Sequence, residues 1–422
     1  MDLELSYFTV NKGGLMSRLE FLFNTNAKSL WFERISSQTL IKAIAILIIF
    51  TSALTLSAQN MAQAPCTDGS GTELECSSSL NSLPMNFIQA IGSHNSYKLA
   101  IPAPELELIR AYREQSAITL DYSHLTLTQQ LELGMRQIEL DIVYDPKGGR
   151  YANPLLPRQT VELIGAQRYD NSNMEQPGFK VLHAQDIDVR SNCDTWIICL
   201  TEIKSWSDKN PQHVPILIMF NAKTGGSAYP GVTEALPFDS QAFDDLDQEV
   251  LSVFDETQLI TPDNVRGNFP TLKEAVISKG WPSLAATKGK VFFALDEGPE
   301  KVQIYSRGNA SLQGLPIFVN SIDENADHAA YFTMNSPIQD QERIRAAVKS
   351  GFIVRTRADA NTMEARNNDS SRREAAFSSG AQYISTDYYQ PRLEFSEYSV
   401  SLPKNRVAMC NPLLLNVDCT AR

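Results

Sequence analysis

Residues 137–143 read QIELDIV, an apolar run interrupted by two carboxylates. Side chains alternate along a strand, so the three aliphatic residues of the IxLxI pattern share one face while Glu139 and Asp141 share the other. Two carboxylates on one face of an apolar strand are costly to bury unless a cation or an arginine pairs with them. The run therefore predicts a buried strand that carries a charged site.

Seven further runs of this kind occur along the chain, with helical patterns between them. The predicted strands cover residues 86–92, 137–143, 179–183, 215–221, 290–296, 315–320, 351–357 and 382–386. Helices are predicted from a capping box at Thr126, after Asp194 as N-cap, and over 339–350 and 370–379. Alternating strands and helices predict a parallel sheet, and eight repeats predict an α/β fold, a single (β/α)8 TIM-type barrel.

Two long connections interrupt this alternation, at residues 145–177 and 225–238, and the first is long enough to cover a site. The barrel itself is expected over 86–400. An N-terminal extension at 65–85 and a C-terminal extension at 401–422 flank it.

The first 64 residues differ in composition from the barrel. The run AIAILIIF at 43–50 follows scattered lysines and arginines and precedes small residues. This order predicts a secretory signal peptide cleaved near residues 58–64, and hence a secreted or periplasmic protein. The alternative is an uncleaved membrane anchor, but the apolar core is shorter than the roughly 20 residues that a spanning helix needs.

Charge and cysteine content narrow the class of protein further. The net charge of −12, without a basic cluster, excludes nucleic acid as a partner. We expect a monomer. All six cysteines lie beyond residue 64, which suggests disulfides in an exported chain, and their spacing suggests the local pairs 66–76, 193–199 and 410–419 among 15 pairings.

Polar side chains collect at the carboxyl ends of the predicted strands, where a β/α barrel has its active site. Two of only five histidines fall there, whereas His124, His213 and His328 are interpreted as structural. The strand-end residues are His94, Asn95, Glu139, Asp141, His183, Asn221, Lys223, Asp296, Glu297, Arg355, Arg357, Asp359, Thr386, Asp387 and Tyr388.

This combination of side chains suits phosphodiester cleavage. Amide and carboxylate oxygens favour Ca²⁺ or Mg²⁺. One histidine can act as general base and the other as general acid, while arginine and lysine hold phosphate charge. No GxSxG elbow, P-loop or GxGxxG fingerprint competes with this interpretation.

The chain resembles the phosphatidylinositol-specific phospholipase C superfamily, and more closely its secreted bacterial calcium-dependent branch. The matching stretches, in the family's order over residues 86–392, are IQAIGSHNSYK, LGMRQIELDIVYDPKGG, GFKVLHAQDID, PILIMFNAK, KVFFALDEG, FIVRTRADANTMEAR and GAQYISTDYY. The resemblance implies a β/α barrel and a two-histidine mechanism. In that mechanism the inositol 2-hydroxyl attacks the phosphodiester, diacylglycerol leaves and a cyclic inositol phosphate forms.

The resemblance also implies residue roles. His94 and His183 match the catalytic pair, provisionally as base and acid. The metal ligands would be Asn95, Glu139, Asp141 and Asn221, with Ca²⁺ preferred over Mg²⁺. Asn221 stands where eukaryotic relatives have a glutamate, so it brings no charge, and Asp296 is the candidate to compensate. The residues expected to hold phosphate or inositol are Lys223, Arg355, Arg357 and Tyr388, and the substrate is expected in a phospholipid membrane surface.

Two other functions remain open at this point. Glycerophosphodiester phosphodiesterases share the barrel, the paired histidines and an ExD pair, and differ in leaving group. A non-catalytic lipid- or sugar-binding barrel is the third hypothesis, although both histidines are present. Metal-dependent turnover that vanishes in His94→Ala and in His183→Ala would separate these hypotheses.

Overall fold

Eight parallel strands form the predicted barrel. The structure is a computed structural model that describes residues 81–226, 229–415 and 420–421. Its strands are β1 Ile88–Ser93, β2 Gln137–Val143, β3 Lys180–Val181, β4 Ile216–Ala222, β5 Val291–Leu295, β6 Ile317–Val319, β7 Tyr331–Thr333, β8 Ile353–Arg357, β9 Tyr383–Thr386, β10 Ala408–Cys410 and β11 Thr420–Ala421. Strands β1, β2 and β4 to β9 are the barrel strands; β3 pairs with β2, β10 pairs with β1, and β11 pairs with β10.

The barrel strands follow the order β6-β5-β4-β2-β1-β9-β8-β7, with parallel pairing throughout. A parallel bridge between Asn320 and Tyr331 joins the two ends. Here the Ser321 N–H donates to the Tyr331 carbonyl and the Thr333 N–H donates to Asn320 Oδ1, both at 2.9 Å. The predicted TIM-type barrel is confirmed, and the carboxyl ends of its strands share one face.

Helices connect the strands on the outside. Their bounds are α1 Ala103–Tyr112, α2 Glu114–Thr119, α3 Leu127–Glu132, α4 Leu155–Ile164, α5 Trp196–Lys209, α6 Ser240–Val253, α7 Pro262–Arg266, α8 Leu272–Ser278, α9 Leu284–Thr287, α10 Pro299–Ser306, α11 Gln341–Lys349, α12 Met363–Asn367 and α13 Ser371–Ser379. Thr126 caps α3 in the predicted capping box with Gln129. At α5 the N-cap is Thr195 and not the predicted Asp194, because the Thr195 hydroxyl accepts the Ile198 N–H.

The main core lies between the barrel and its helices. Trp196 of α5 is fully buried against Phe220 of β4 and Phe293 of β5, with ring centroids 5.3 and 6.0 Å apart. Inside the barrel, the Tyr331 hydroxyl lies 3.7 Å from Met219 Sδ. Since β7 and β4 are not neighbours, this contact crosses the interior. Apolar packing on both faces thus explains the continuous apolar strands.

One predicted strand is wrong as a barrel strand. The stretch 179–183 forms only Lys180–Val181, which pairs antiparallel with β2. The missing parallel strand is Tyr331–Thr333, which the sequence analysis did not identify. Three residues are too few to show a period. The predicted number of eight barrel strands is therefore correct, although one of the eight predicted segments is not a barrel strand.

The connections and termini also differ in detail. The long connection 145–177 contains α4, and the C-terminal extension supplies β10, which pairs antiparallel with β1. The predicted disulfide Cys193–Cys199 is confirmed. Residues 1–80 and Cys419 lie outside the described residues, so the leader or anchor and the pairs 66–76 and 410–419 stay predictions. Within the described chain, no helix has the length and apolarity to cross a membrane.

Candidate active site

His94 follows β1 directly and lies at the centre of the carboxyl face. Its Nδ1 is 2.8 Å from Asp387 Oδ1, at the end of β9. Arg357 Nη2, from β8, is 3.3 Å from the same nitrogen and 3.4 Å from Asp387 Oδ2. The other ring nitrogen, Nε2, is 3.9 Å from Glu139 Oε1. Three strands therefore fix this ring between two carboxylates and a guanidinium.

Burial and the neighbouring cations both lower the pKa of His94. Burial and the Arg357 guanidinium lower the pKa of His94 well below 6.5, with further lowering by Arg355 and His183, although Glu139 opposes them. A neutral imidazole at neutral pH is the form that accepts a proton.

His183 has a similar arrangement on the other side. Its Nδ1 is 3.0 Å from Oδ2 of the buried Asp188, and the side chain is 25% exposed. Lys98 Nζ lies 3.2 Å from the same oxygen. Burial raises the pKa of Asp188, but Lys98 and His183 outweigh this and hold it below its ordinary value. Both histidines thus have Nδ1 bound to a buried carboxylate that a second cation also contacts.

The two carboxylates of β2 point into the barrel, and each meets a cation. Arg355 Nη2 donates to Glu139 Oε2, and both side chains are buried. Asp141 Oδ2 is 3.1 Å from Lys223 Nζ and accepts the Tyr97 hydroxyl at 3.0 Å. Burial opposes protonation of Lys223, but Asp141 and Glu139 outweigh it and raise the pKa of the ammonium group.

The amide side chains border these carboxylates. Asn221 is the register partner of Asp141, and its Nδ2 donates to the Asp296 carbonyl. Asn95 leaves β1 with φ of 47°, a left-handed conformation that asparagine tolerates, and its Nδ2 donates to the Tyr122 hydroxyl at 2.7 Å. Burial raises the pKa of Asp296, against the opposing charge of Arg355.

Tyr388 is the predicted site residue that the structure does not bring to this cluster. It is 2% exposed and lies in an aromatic cluster with Phe395 and Tyr398, at ring-centroid distances of 6.4 and 6.0 Å. The preceding residue, Asp387, points the other way and reaches His94. Successive side chains on an extended backbone face opposite directions.

Several residues of the cluster had no predicted role, although Asp359 and Asp387 were predicted to lie at strand ends. Asp387 and Asp188 hold the two histidines, and Lys98 pairs with Asp188. Asp359 accepts the Asp387 N–H at 2.8 Å through Oδ1, and burial together with Asp387 raises the pKa of Asp359 to about 7. His124, interpreted as structural, holds the backbone at His94, because its Nε2 lies 2.7 Å from the His94 carbonyl. Lys98, Asp188 and Asp387 lie in the motifs HNSYK, HAQDID and STD, and this position is the sequence signal that connects them to the site.

The side-chain oxygens around β2 are the candidate ligands for a hard cation. Asp141 Oδ1 is buried without a hydrogen-bond partner, and Glu139 Oε1 has only the long contact to His94. Over residues 81–226 and 229–415, no three His, Cys, Asp or Glu side chains form a ligand group by themselves. Amide oxygens of Asn95 and Asn221 would complete the set. An unsatisfied buried oxygen of Asp141, with Asn221 as its register partner on the next strand, fits Ca²⁺.

The chain matches a family of known proteins and resembles several solved structures. The family model described as "Phosphoinositide phospholipase C, Ca2+-dependent" matches residues 83–412. The chain is similar in structure to a calcium-dependent phosphoinositol-specific phospholipase C of a Gram-negative Pseudomonas sp, determined in an apo form as a myoinositol complex. The identity is 18% and the TM-score 0.50, over 79% of this chain and 97% of that chain. This likeness shows a shared fold.

A second similar structure is a Ca²⁺-dependent phosphatidylinositol-specific phospholipase C from Streptomyces antibioticus. Its identity is 16% and its TM-score 0.45, over 72% of this chain and 95% of that chain. A search of the curated proteins gave no match.

Proposed function

The chain belongs to the family of Ca²⁺-dependent phosphoinositide phospholipases C and is an enzyme of that class, and from this premise we propose that it cleaves phosphatidylinositol-type lipids with His94 and His183 as its acid–base pair. The supporting observation is that each Nδ1 is bound to a buried carboxylate, Asp387 or Asp188. This contact leaves Nε2 of each ring as the nitrogen for proton transfer.

His94 acts as the general base in this proposal. Its lowered pKa keeps the ring neutral at neutral pH, and Asp387 stabilises the imidazolium that forms. His94 takes the proton of the inositol 2-hydroxyl as that oxygen attacks phosphorus. His183 then donates a proton to the departing diacylglycerol oxygen. The products are diacylglycerol and a cyclic inositol phosphate.

The phosphate is held by Arg357 and Lys223. Arg357 lies beside the His94 ring with 14% of its side chain exposed, and Lys223 is 36% exposed. Arg355, by contrast, is 1% exposed and engaged by Glu139, Asn335 Oδ1 and Ser385 Oγ. We therefore assign Arg355 to holding Glu139 in place. Partly exposed cations beside the base are the ones that a lipid phosphate can reach.

Calcium belongs at Asn95, Glu139, Asp141 and Asn221 in this proposal. When bound, it would stabilise charge on the phosphoryl oxygens. The carboxylates and amides of the chain supply oxygen donors only, which suits a hard cation.

We also propose that the enzyme acts outside the cytoplasm. The apolar run at 43–50 and the Cys193–Cys199 disulfide support this location, since disulfides persist in oxidising compartments. Detection of the mature chain in the medium or periplasm, with its N-terminus determined by sequencing, tests the proposal. Retention of residues 43–50 in a membrane fraction would contradict it.

The test of activity uses phosphatidylinositol vesicles with Ca²⁺, with Mg²⁺ and with a chelator, and follows inositol phosphates by ³¹P NMR. We expect a cyclic product that depends on Ca²⁺, and a loss of about 100-fold or more in His94→Ala and in His183→Ala. His328→Ala, a histidine outside the site, is the matched control. Cleavage of glycerophosphoinositol but not of vesicles would favour a glycerophosphodiesterase.

A further inference from the structure

A lysine without solvent exposure lies between the two catalytic loops. The Lys98 side chain is 0% exposed, and its Nζ is 3.2 Å from Asp188 Oδ2, 3.1 Å from the Tyr122 carbonyl and 3.4 Å from the Leu99 carbonyl. The ammonium group also lies 4.8 Å from the centroid of the Tyr122 ring. A lysine is almost never fully buried unless it is paired. The mechanism above does not use this charge.

Asp188 connects Lys98 to His183. The ammonium group and the imidazole Nδ1 share one oxygen, Oδ2, at 3.2 and 3.0 Å. The other oxygen, Oδ1, is buried without a hydrogen-bond partner. Asp188 therefore has two candidate cations and no solvent. If Lys98 were uncharged, His183 would be the only hydrogen-bonded cation available to the carboxylate.

The backbone around Lys98 joins the loops that carry both histidines. The Lys98 N–H donates to the Asn95 carbonyl at 2.9 Å, one residue after His94. An antiparallel bridge connects Lys98 with Ser191, beyond Asp188 on the second loop. The backbone of Lys98 is thus held by both loops, and this fixes the position of its ammonium group between them.

We propose that Lys98 is a positioning residue for His183: it neutralises Asp188, so that the carboxylate orients the ring through Nδ1 without locking it in the protonated state. The proposal rests on the proposed role of His183 in proton transfer. A general acid must release its proton to the leaving oxygen, and a lone buried carboxylate at hydrogen-bond distance stabilises the charged ring and so opposes that release. Lys98 removes that penalty and keeps the orientation.

Other groups near this pair act in a secondary way. His94 and His183 repel each other when charged. Burial raises the pKa of Tyr97 and of Tyr122 well above 10, so both phenols stay neutral. Asp141 accepts a hydrogen bond from Tyr97, and the charge of Lys98 acts on Asp387 without a direct contact. None of these groups contacts both His183 and Lys98, whereas Asp188 does.

The direct test follows the histidine side chains by NMR in the full mature chain, where five histidines are assigned by substitution. In ring ¹⁵N spectra recorded at one fixed pH, Lys98→Met is expected to increase the charged fraction of the His183 ring, and Asp188→Asn is expected to decrease it. Simple structural damage would not move the same ring in opposite directions. Lys180→Met is the matched control, because Lys180 is equally buried, pairs with Asp145 Oδ2 at 3.5 Å and contacts no histidine. Shifts in the same direction, or none, would overturn the proposal.

A kinetic cycle supplies a second readout that survives poor folding of Lys98→Met. Both single variants are expected to lower kcat by about tenfold or more with KM little changed. Adding Lys98→Met to Asp188→Asn also removes both buried charges, which avoids an unpaired lysine. We expect no further loss of kcat in this double variant. A further tenfold loss would mean that Lys98 acts other than through Asp188.

The two proposals fail in distinguishable ways. If His183→Ala keeps full activity, the catalytic assignment of His183 is wrong, whatever the ring spectra show. If His183→Ala is inactive but Lys98→Met leaves the His183 ring signals unchanged, the catalytic assignment stands and the role of Lys98 is overturned.

Discussion

Arg355 and Glu139 form a buried ion pair across the barrel interior, from β8 to β2. The two strands are separated by β1 and β9 in the sheet, so the pair crosses the interior of the barrel. Removing two charges from water is costly, and the net contribution of such a pair to stability is small. Breaking it is different, because one charge then remains buried alone.

We therefore expect Glu139→Gln to lower the free energy of unfolding by about 3–5 kcal/mol, as measured by urea denaturation. The double variant with Arg355→Met is expected to regain most of that loss while remaining inactive. Asp208→Asn is the control, since its partner Lys204 is an exposed i,i+4 neighbour. If the double variant were as unstable as Glu139→Gln, the unpaired arginine would not be the cause.

Lys223 competes with a cation for Asp141. Its ammonium is 3.1 Å from Asp141 Oδ2, whereas Oδ1 is buried and unpartnered. Lys223→Met should lower the Kd for Ca²⁺ by about tenfold, or about 1.4 kcal/mol. The variant removes a positive charge that pairs with Asp141 and repels the cation. Calorimetric titration of Ca²⁺ measures this without substrate.

Two further variants are the controls for the calcium titration. Asp141→Asn should abolish Ca²⁺ binding. Lys301→Met removes a lysine that pairs with Glu297 at 2.9 Å instead, and should leave the Kd unchanged. Weaker Ca²⁺ binding in Lys223→Met would show that Lys223 supports the metal site and does not compete with it.

Burial and Arg357 together lower the pH range of the base. Burial and Arg357 lower the pKa of His94, so the neutral, active form persists below pH 6.5. The acidic limb of kcat/KM should therefore lie below that pH, and Arg357→Met should shift it upwards. The plateau should fall as well, since a phosphate contact is lost, so the position of the limb is the diagnostic quantity.

Arg366→Met is the matched control for this profile. Arg366 pairs with Asp121 Oδ2 at 2.8 Å and makes no contact with His94. An unshifted limb in Arg357→Met would mean that burial alone sets the titration of His94.

The barrel could be predicted because most of its strands are long apolar runs, and QIELDIV showed its charged face through alternation alone. The strand Tyr331–Thr333 could not be predicted, since three residues carry no period. At the end of β9, the polar run pointed to the right place, but the choice of Tyr388 over Asp387 depended on which residue faces inwards. The pairing of Asp188 with Lys98 joins residues 90 positions apart, and only the folded chain brings them together.

Acid should destabilise the protein through a histidine far from catalysis. His213 is buried, with Nε2 2.7 Å from Ser207 Oγ and Nδ1 2.7 Å from the Val214 carbonyl, and burial lowers its pKa to about 4. The unfolded chain binds this proton near pH 6.5, so it holds one more proton than the fold between about pH 6.5 and 4. Stability from this group is complete above pH 6.5 and falls by about 1.4 kcal/mol per pH unit through that window. His213→Gln should flatten the urea-derived slope of stability against pH by one proton, whereas an unchanged slope would place the acid sensitivity in other groups, such as His124, whose pKa burial also lowers to about 4.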